Sequence, residues 1–172
     1  MISLIVAHDE SRGMGKNNTI PWYIPGELRW VGKVTRAPYG GAGQRNALIM
    51  GRKTWESLPE SRRPLPDRLT IVISRTITIE HKDVIVVDSL EEAFLEVVKQ
   101  DEIAKAFVFG GASIYEQALK SDKVDELLVS VVPGHYDADI FFPQIPKGYT
   151  LKSQHEFIFD GVSVKHFKYK LN

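Results

Sequence analysis

The chain contains no cysteine, which excludes disulfides, thiol catalysis and cysteine-bound zinc or iron–sulfur centres. It has no surplus of either charge, because 22 basic and 22 acidic residues cancel. No global field therefore favours nucleic acid or a membrane surface as partner. The apolar run at the start, Ile2–Ala7, is too short to span a bilayer, and it lacks a basic flank and a cleavage site. A cytoplasmic address is the expectation. The five histidines, at 8, 81, 135, 155 and 166, show no H-x-x-x-H or H-E-x-x-H spacing, so no metal site is expected. Neither a G-x-S-x-G elbow nor a Walker A loop occurs, which removes the usual signatures of acyl transfer and of P-loop chemistry. Repeats and low-complexity tracts are also missing.

What remains is an ordinary globular composition, 43% apolar and 26% charged over 172 residues, enough for one domain spanning 1–172 with a real core. Short apolar, β-branched runs recur at residues 2–8, 47–51, 69–74, 84–87 and 106–110. Such runs without alternation predict strands buried on both faces, as in a sheet covered by helices. Helical patterns lie between them. A helix is expected from Pro25, another over 54–58, one opened by the capping box Ser89-Leu90-Glu91-Glu92 and running to about Gln100, and one over 112–120. The alternation argues an α/β fold with a largely parallel sheet. The end of the chain differs. A strand at 125–132 is followed by strands at 151–159 and 162–171 around Asp160-Gly161, a two-residue hairpin signal, so an antiparallel hairpin closes one edge. Residues 36–46 are a loop on composition.

Several constellations could carry chemistry. Glu27 sits near the start of the first helix, bordering a face made by Ile24, Leu28, Val31 and Thr35. A half-buried carboxylate there needs a partner; a solvated helix-start acid is the bland reading. Phe109-Gly110-Gly111-Ala112-Ser113-Ile114-Tyr115 joins a buried strand to a helix through two glycines, which suits close backbone approach to a phosphate or merely a tight turn. Gly51-Arg52-Lys53-Thr54 places two cations at a helix start, a conflict with the dipole that a bound polyanion would offset. Ser74-Arg75 offers a hydroxyl and a guanidinium after another strand. All three fall at strand C-terminal ends, the edge where open α/β sheets bind ligands. Arg62-Arg63-Pro64-Leu65-Pro66-Asp67-Arg68 holds arginines in a proline-stiffened loop, suited to gripping a carboxylate.

In order and spacing, the segments Ile2–Ala7, Gly15–Trp22, Glu27–Trp30, Ile49–Ser57, Arg63–Arg68, Ser74-Arg75, Gly110–Tyr115 and Asp139–Pro143 resemble those of the dihydrofolate reductases, over essentially the whole chain. The resemblance implies a central, mostly parallel eight-stranded sheet with helices on both faces and the C-terminal antiparallel hairpin. It implies NADPH as cofactor, hydride transfer to C6 of the pterin of 7,8-dihydrofolate, and protonation at N5. Glu27 would be the acid against the pterin, with Trp22 holding an ordered water beside it and the Ser130 hydroxyl bonding its carboxylate. Ile5, Ala7, Leu28, Val31, Leu65, Phe109 and Tyr115 would line the substrate pocket, with Arg68 on the α-carboxylate of the glutamate tail. Ala7, Gly15, Asn18 and Ile20 would lie against the cofactor. Gly51, Arg52, Lys53, Thr54, Gly110, Gly111, Ala112, Ser113 and Ile114 would hold its pyrophosphate side, and Ser74 and Arg75 its 2′-phosphate. Segment 13–22 would be a mobile loop docking on Asp139. A monomer is the family default.

The chain also departs from the family pattern. Val31 stands where Phe usually packs on the pterin and aminobenzoyl rings, which is expected to weaken substrate and antifolate inhibitors. Phe109 replaces a smaller aliphatic residue, Asp67 stands where Gly commonly precedes the carboxylate-binding arginine, and the 36–46 loop is long. The competing readings are a pterin or pyrimidine reductase of the same fold, against which Arg68 and Glu27 speak, and a non-catalytic folate- or nucleotide-binding protein.

Overall fold

The apolar runs become the middle of a sheet. In a computed structural model, which describes residues 1–36 and 41–172, the strands are β1 (Ile2–Asp9), β2 (Gly13–Gly15), β3 (Arg45–Gly51), β4 (Arg68–Ile73), β5 (Val84–Val87), β6 (Ile103–Gly110), β7 (Glu126–Val132), β8 (Ile140–Phe141), β9 (Tyr149–Phe159) and β10 (Val162–Leu171). The helices are α1 (Pro25–Arg36), α2 (Arg52–Ser57), α3 (Leu90–Lys99) and α4 (Ala112–Lys120), with a single 3-10 turn over Glu60–Arg62. Eight strands form one sheet in the order β5-β4-β3-β6-β1-β7-β10-β9. Those from β5 to β7 are mutually parallel, and β10 runs against both of its neighbours. β2 and β8 make a separate small ribbon.

Helices cover both faces, as continuous apolar strands require. On one side Leu90, Ala93 and Phe94 of α3 and Ile114, Ala118 and Leu119 of α4 pack on Leu4, Val6, Ile49, Ile71 and Val108. On the other, Trp30, Val31 and Val34 of α1 and Trp55 of α2 pack with Ile5, Leu48, Met50, Val72 and Phe107. This second face is not apolar throughout. Near the N-terminal ends of the parallel strands, Lys105 (β6), Ser3 (β1), Glu126 (β7) and Lys168 (β10) form a polar row. Glu126 Oε1 accepts from Lys105 Nζ at 2.5 Å and from Ser3 Oγ at 2.8 Å, and its Oε2 lies 3.0 Å from Lys168 Nζ.

Elements depart from the sequence reading mainly at their ends. α2 begins at Arg52 rather than at 54, and α1 begins at Pro25, leaving Ile24 as a buried residue just before it. Arg36 ends α1 and Arg45-Asn46 open β3, so both ends of the expected 36–46 loop are regular structure; residues 37–40 lie outside the described residues. The capping box forms with one change: Ser89 Oγ accepts from the Glu92 N–H, but the Glu92 carboxylate accepts from Asp88 N–H, one residue further back. The Asp160-Gly161 turn has φ +51° and +79°, the left-handed pair that a two-residue hairpin loop demands.

Candidate active site

The C-terminal ends of the parallel strands converge on one edge, where Ala7 (β1), Gly51 (β3), Ser74 (just past β4), Gly110 (β6) and Ser130 (β7) lie. Ser130 is flanked in register by Ala7 on β1 and by His166 on β10. Above these strands stands the first turn of α1. Its N-terminus is held by the β9–β10 hairpin, since Asp160 Oδ2 accepts from the Gly26 N–H at 2.7 Å. A Cβ at Gly26 would lie 2.9 Å from Phe159 Cβ, so only glycine allows the helix to sit this close.

That docking carries Glu27 into the protein, where it is 2% exposed. Its Oε2 accepts from His166 Nε2 at 2.9 Å, and its Oε1 is buried without a hydrogen-bond partner among the described residues. The hydrogen bond expected from Ser130 is not formed. Ser130 lies on the sheet beside His166, and it is the imidazole, longer by a ring, that spans from β10 to the helix. His166 is the residue the sequence reading missed. Its only signal was a histidine at an inward position of an alternating strand. Trp22 is half-buried and lies against Ile24 and Tyr136, with its ring edge-on to the Tyr136 ring at 5.4 Å.

Ile5, Val31, Leu65 and Phe109 all belong to the apolar cluster beneath this acid. Val31 and Phe109 both pack against this cluster. Leu28, expected on the apolar face, is 54% exposed, as is Ile20 in the segment before the helix. Tyr115 is buried behind the pocket, and its hydroxyl donates to the Ile5 carbonyl at 2.7 Å. Burial pushes that phenol well above its ordinary range. Tyr115 thus fixes the strand backbone that lines the site.

Beside α1 a cavity of about 470 Å³ is lined by Gly32, Arg36, Arg62, Leu65 and Arg68, among others, and by no carboxylate. Arg68 is 4% exposed. Its Nε donates to the Pro66 carbonyl at 2.9 Å and its Nη1 to Thr35 Oγ1 at 2.8 Å. Burial, and then the neighbouring Arg36 cation, lower its pKa to about 10, with Asp67 opposing. A desolvated guanidinium held by neutral oxygens is set up for an anion. Arg62, from the arginine loop singled out in the sequence, and Arg36, which the sequence did not point to, share the cavity with it. Asp67 adopts φ +64°, the left-handed conformation that explains a glycine preference there. Asp67→Gly is expected to stabilise the fold by about 0.5–1 kcal/mol after the unfolded-state cost of glycine, raising the melting temperature by a few degrees in a thermal scan.

The glycine turns lie side by side. A Cβ at Gly51 would come 3.3 Å from Ile114 Cγ1, and one at Gly110 (φ +122°) 3.3 Å from the Tyr115 hydroxyl and 3.4 Å from Thr54 Oγ1. Gly111 caps α4 with no side chain, so Ala112, Ser113 and Ile114 open that helix with backbone N–H groups uncapped by a side chain. Of the two cations in the other turn, Arg52 is engaged by Glu56 at 3.1 Å. Ser74 Oγ accepts from the N–H groups of Thr76 and Ile77, while Arg75 is exposed.

Segment 13–22 docks on the 137–141 region. β2 pairs with β8, Asp139 N–H donates to the Gly15 carbonyl at 3.0 Å, and Asn17 N–H donates to Asp139 Oδ2 at 3.1 Å. The left-handed Asn17-Asn18 pair turns the tip. At its base the Asp9 carboxylate accepts from the N–H groups of Ser11, Gly13 and Tyr136. Burial opposes ionisation of Asp9, but those three donors outweigh it and hold its pKa below the usual range.

The family model for dihydrofolate reductase matches residues 1–171. The chain belongs to the dihydrofolate reductase family. It is 38% identical over 149 residues to the dihydrofolate reductase of Drosophila melanogaster, covering 86% of this chain and 81% of that one. To the Mus musculus enzyme it is 33% identical over 177 residues, covering 98% and 94%, and to that of Bos taurus 34% over 150 residues, covering 84% and 79%. As a dihydrofolate reductase this chain is an oxidoreductase acting on dihydrofolate, and the mostly parallel eight-stranded sheet agrees with that fold.

Proposed function

We propose that this reductase uses NADPH, that Glu27 is the acid on which the pterin is oriented, and that Arg68 takes the α-carboxylate of the glutamate tail. The observation that carries the reading is Glu27: a carboxylate 2% exposed, one oxygen held by His166 and the other, Oε1, without a hydrogen-bond partner among the described residues. A buried acceptor in that state suits a ligand that brings its own donors, and the pterin 2-amino group and N3–H are such a pair. Trp22 belongs beside the ordered water next to that acid, and Ser130 contributes at the pocket floor.

For the cofactor, the test of fit is the side-chain-free cradle. Gly51 and Gly110-Gly111 bring two strand ends together where added Cβ atoms would crowd Ile114 and Tyr115. Bare backbone at the start of α4 favours a phosphate, and exposed Arg75 suits the 2′-phosphate. Lys53, Thr54, Ser113 and Ile114 complete the pyrophosphate side; Ala7, Gly15, Asn18 and Ile20 belong to the nicotinamide side. NADPH supplies the hydride that C6 of the pterin receives. The protein's part is to hold the pterin plane through Glu27, exclude water beneath it with Ile5 and Phe109, and fix the tail at Arg68. With Glu27 on the 2-amino and N3 edge of the pterin, the proton arriving at N5 would come from water. We further propose a cytoplasmic address, as suits a chain without cysteine, and a monomer, the default of the family.

The test is NADPH consumption with 7,8-dihydrofolate, read as loss of near-ultraviolet absorbance, with NADH in parallel. Turnover is expected with NADPH and much less with NADH. Glu27→Gln is expected to lower kcat/KM at neutral pH by about 10²-fold or more. Equal use of NADH would overturn the role of Arg75, and unchanged turnover in the variant would overturn that of Glu27.

A further inference from the structure

We propose that His166 is a positioning residue for the substrate-binding acid: its Nε2–H holds Glu27 Oε2, so that Oε1 is the oxygen left for the ligand. The proposal rests on Glu27 being the pterin-orienting acid and adds what fixes its carboxylate. A glutamate carboxylate, reached through three rotatable side-chain bonds of which the last is broad, does not hold its plane unaided. Here the contact is 2.9 Å between two groups that are both buried, so water competes little for it and the bond is correspondingly strong.

The imidazole is itself immobilised. Its backbone is paired on both sides, with Ser130 of β7 and His155 of β9. Its ring lies 4.1 Å from the Trp30 ring, tilted at 53°, and 4.8 Å from that of Phe157. Trp30 is one turn along α1 from Glu27, so the same helix face supplies both the carboxylate and the ring that clamps its partner. The donating nitrogen is defined by the acceptor: an ionised carboxylate can only accept, so the proton of this contact sits on Nε2. Nδ1 is buried without a hydrogen-bond partner among the described residues. Among those residues the hydrogen bond of the ring is the one to Glu27.

A constraint of this kind acts through geometry. Releasing the carboxylate lets it rotate away from coplanarity with the bound ring, and small misplacements at a reacting centre are costly. The loss is expected in ligand affinity and in kcat/KM together, since the same carboxylate contacts ground state and transition state.

The experiment compares His166→Phe, which keeps the ring volume and removes the donor, with His166→Gln, whose amide nitrogen falls near Nε2. Both are made in the wild-type and Glu27→Gln backgrounds. Folate binding is read by quenching of tryptophan fluorescence, turnover of dihydrofolate in parallel, and thermal stability for each protein. His166→Phe is expected to weaken folate by about 10-fold in the wild-type background and by less than about 2-fold on Glu27→Gln, the signature of coupled residues. His166→Gln should recover most of the affinity. Equal losses in both backgrounds, or affinity unchanged by His166→Phe, would overturn the proposal. Should His166→Phe fail to fold, nitrogen NMR of the wild type decides: the proposal requires a protonated Nε2 whose resonance moves when Glu27 becomes Gln. An inactive wild-type enzyme would instead count against the reductase reading beneath it.

Discussion

Glu126→Gln is expected to cost about 3–5 kcal/mol of folding stability, the penalty for removing one partner from a buried ion pair. The carboxylate side chain is 3% exposed and that of Lys105 is 4% exposed, whereas Lys168 is 40% exposed. Most of the effect therefore comes from the Lys105–Glu126 contact, whose two charges are both desolvated. The melting temperature should fall by about 10 °C or more. The same residue sets an acid limb. Burial alone would raise the Glu126 pKa, but the hydrogen bonds from Lys105, Lys168 and Ser3 outweigh it and bring it down to about 2 from an ordinary 4.5. A carboxyl whose pKa is depressed by folding stabilises the protein above its unfolded value, and that contribution fades as pH falls from about 5 toward 2. Denaturant unfolding at a series of pH values should show this loss in the wild type and a shallower one in Glu126→Gln. Catalysis at neutral pH should survive in the molecules that remain folded, because Glu126 opens β7 at its N-terminal end, four residues before Ser130. A variant as stable as the wild type would mean that the lysines find equivalent solvation elsewhere.

Arg68→Leu is expected to raise KM for dihydrofolate by about 10²-fold or more, since losing one member of a desolvated charge pair costs about 2–5 kcal/mol. The guanidinium is already oriented before ligand arrives, by the Pro66 carbonyl and the Thr35 hydroxyl, so little ordering cost is deducted from its contribution. The discriminating control is dihydropteroate, the same pterin and aminobenzoyl groups without the glutamate. Its kcat/KM should change only slightly in Arg68→Leu. An equal loss for both substrates would show that Arg68 acts by supporting the Thr35 end of α1 rather than by gripping a carboxylate. Arg36 and Arg62 share the cavity, and replacing either should cost less, because only Arg68 among the three is fully desolvated.

Much of the architecture was readable because local and global preferences agree. The 112–120 helix, the 84–87 strand and the Asp160-Gly161 turn were placed within a residue or less, each marked by a sharp change of periodicity or a turn dipeptide. β2 and β8 were not seen, being two or three residues long and held by docking of one loop on another. Arg45-Asn46 read as loop from composition, yet the ladder between β4 and β6 recruits them into β3. At the candidate site, Glu27 and Arg68 stood out through their surroundings, and both are buried in the fold. The Ser130 contact failed because hydrogen-bond competition is a matter of reach across strands, which a single sequence does not display. Ser3, Lys105, Glu126 and Lys168 carried no signal for the same reason: their four strands, separated by up to 165 residues, meet only in the folded sheet.

The β9–β10 hairpin has a consequence for the order of events during synthesis. It supplies the cap of α1 through Asp160 and the imidazole at Glu27 through His166, and β10 seats β9 on the sheet beside β7. All of these come after every other strand in the chain. A nascent chain that has extruded β1 to β7 can pair its parallel core, yet Glu27 lacks its imidazole partner until residue 166 has been made. Competence to bind folate should therefore arrive late and abruptly as the polypeptide emerges, lagging behind the burial of the core by the length of one hairpin.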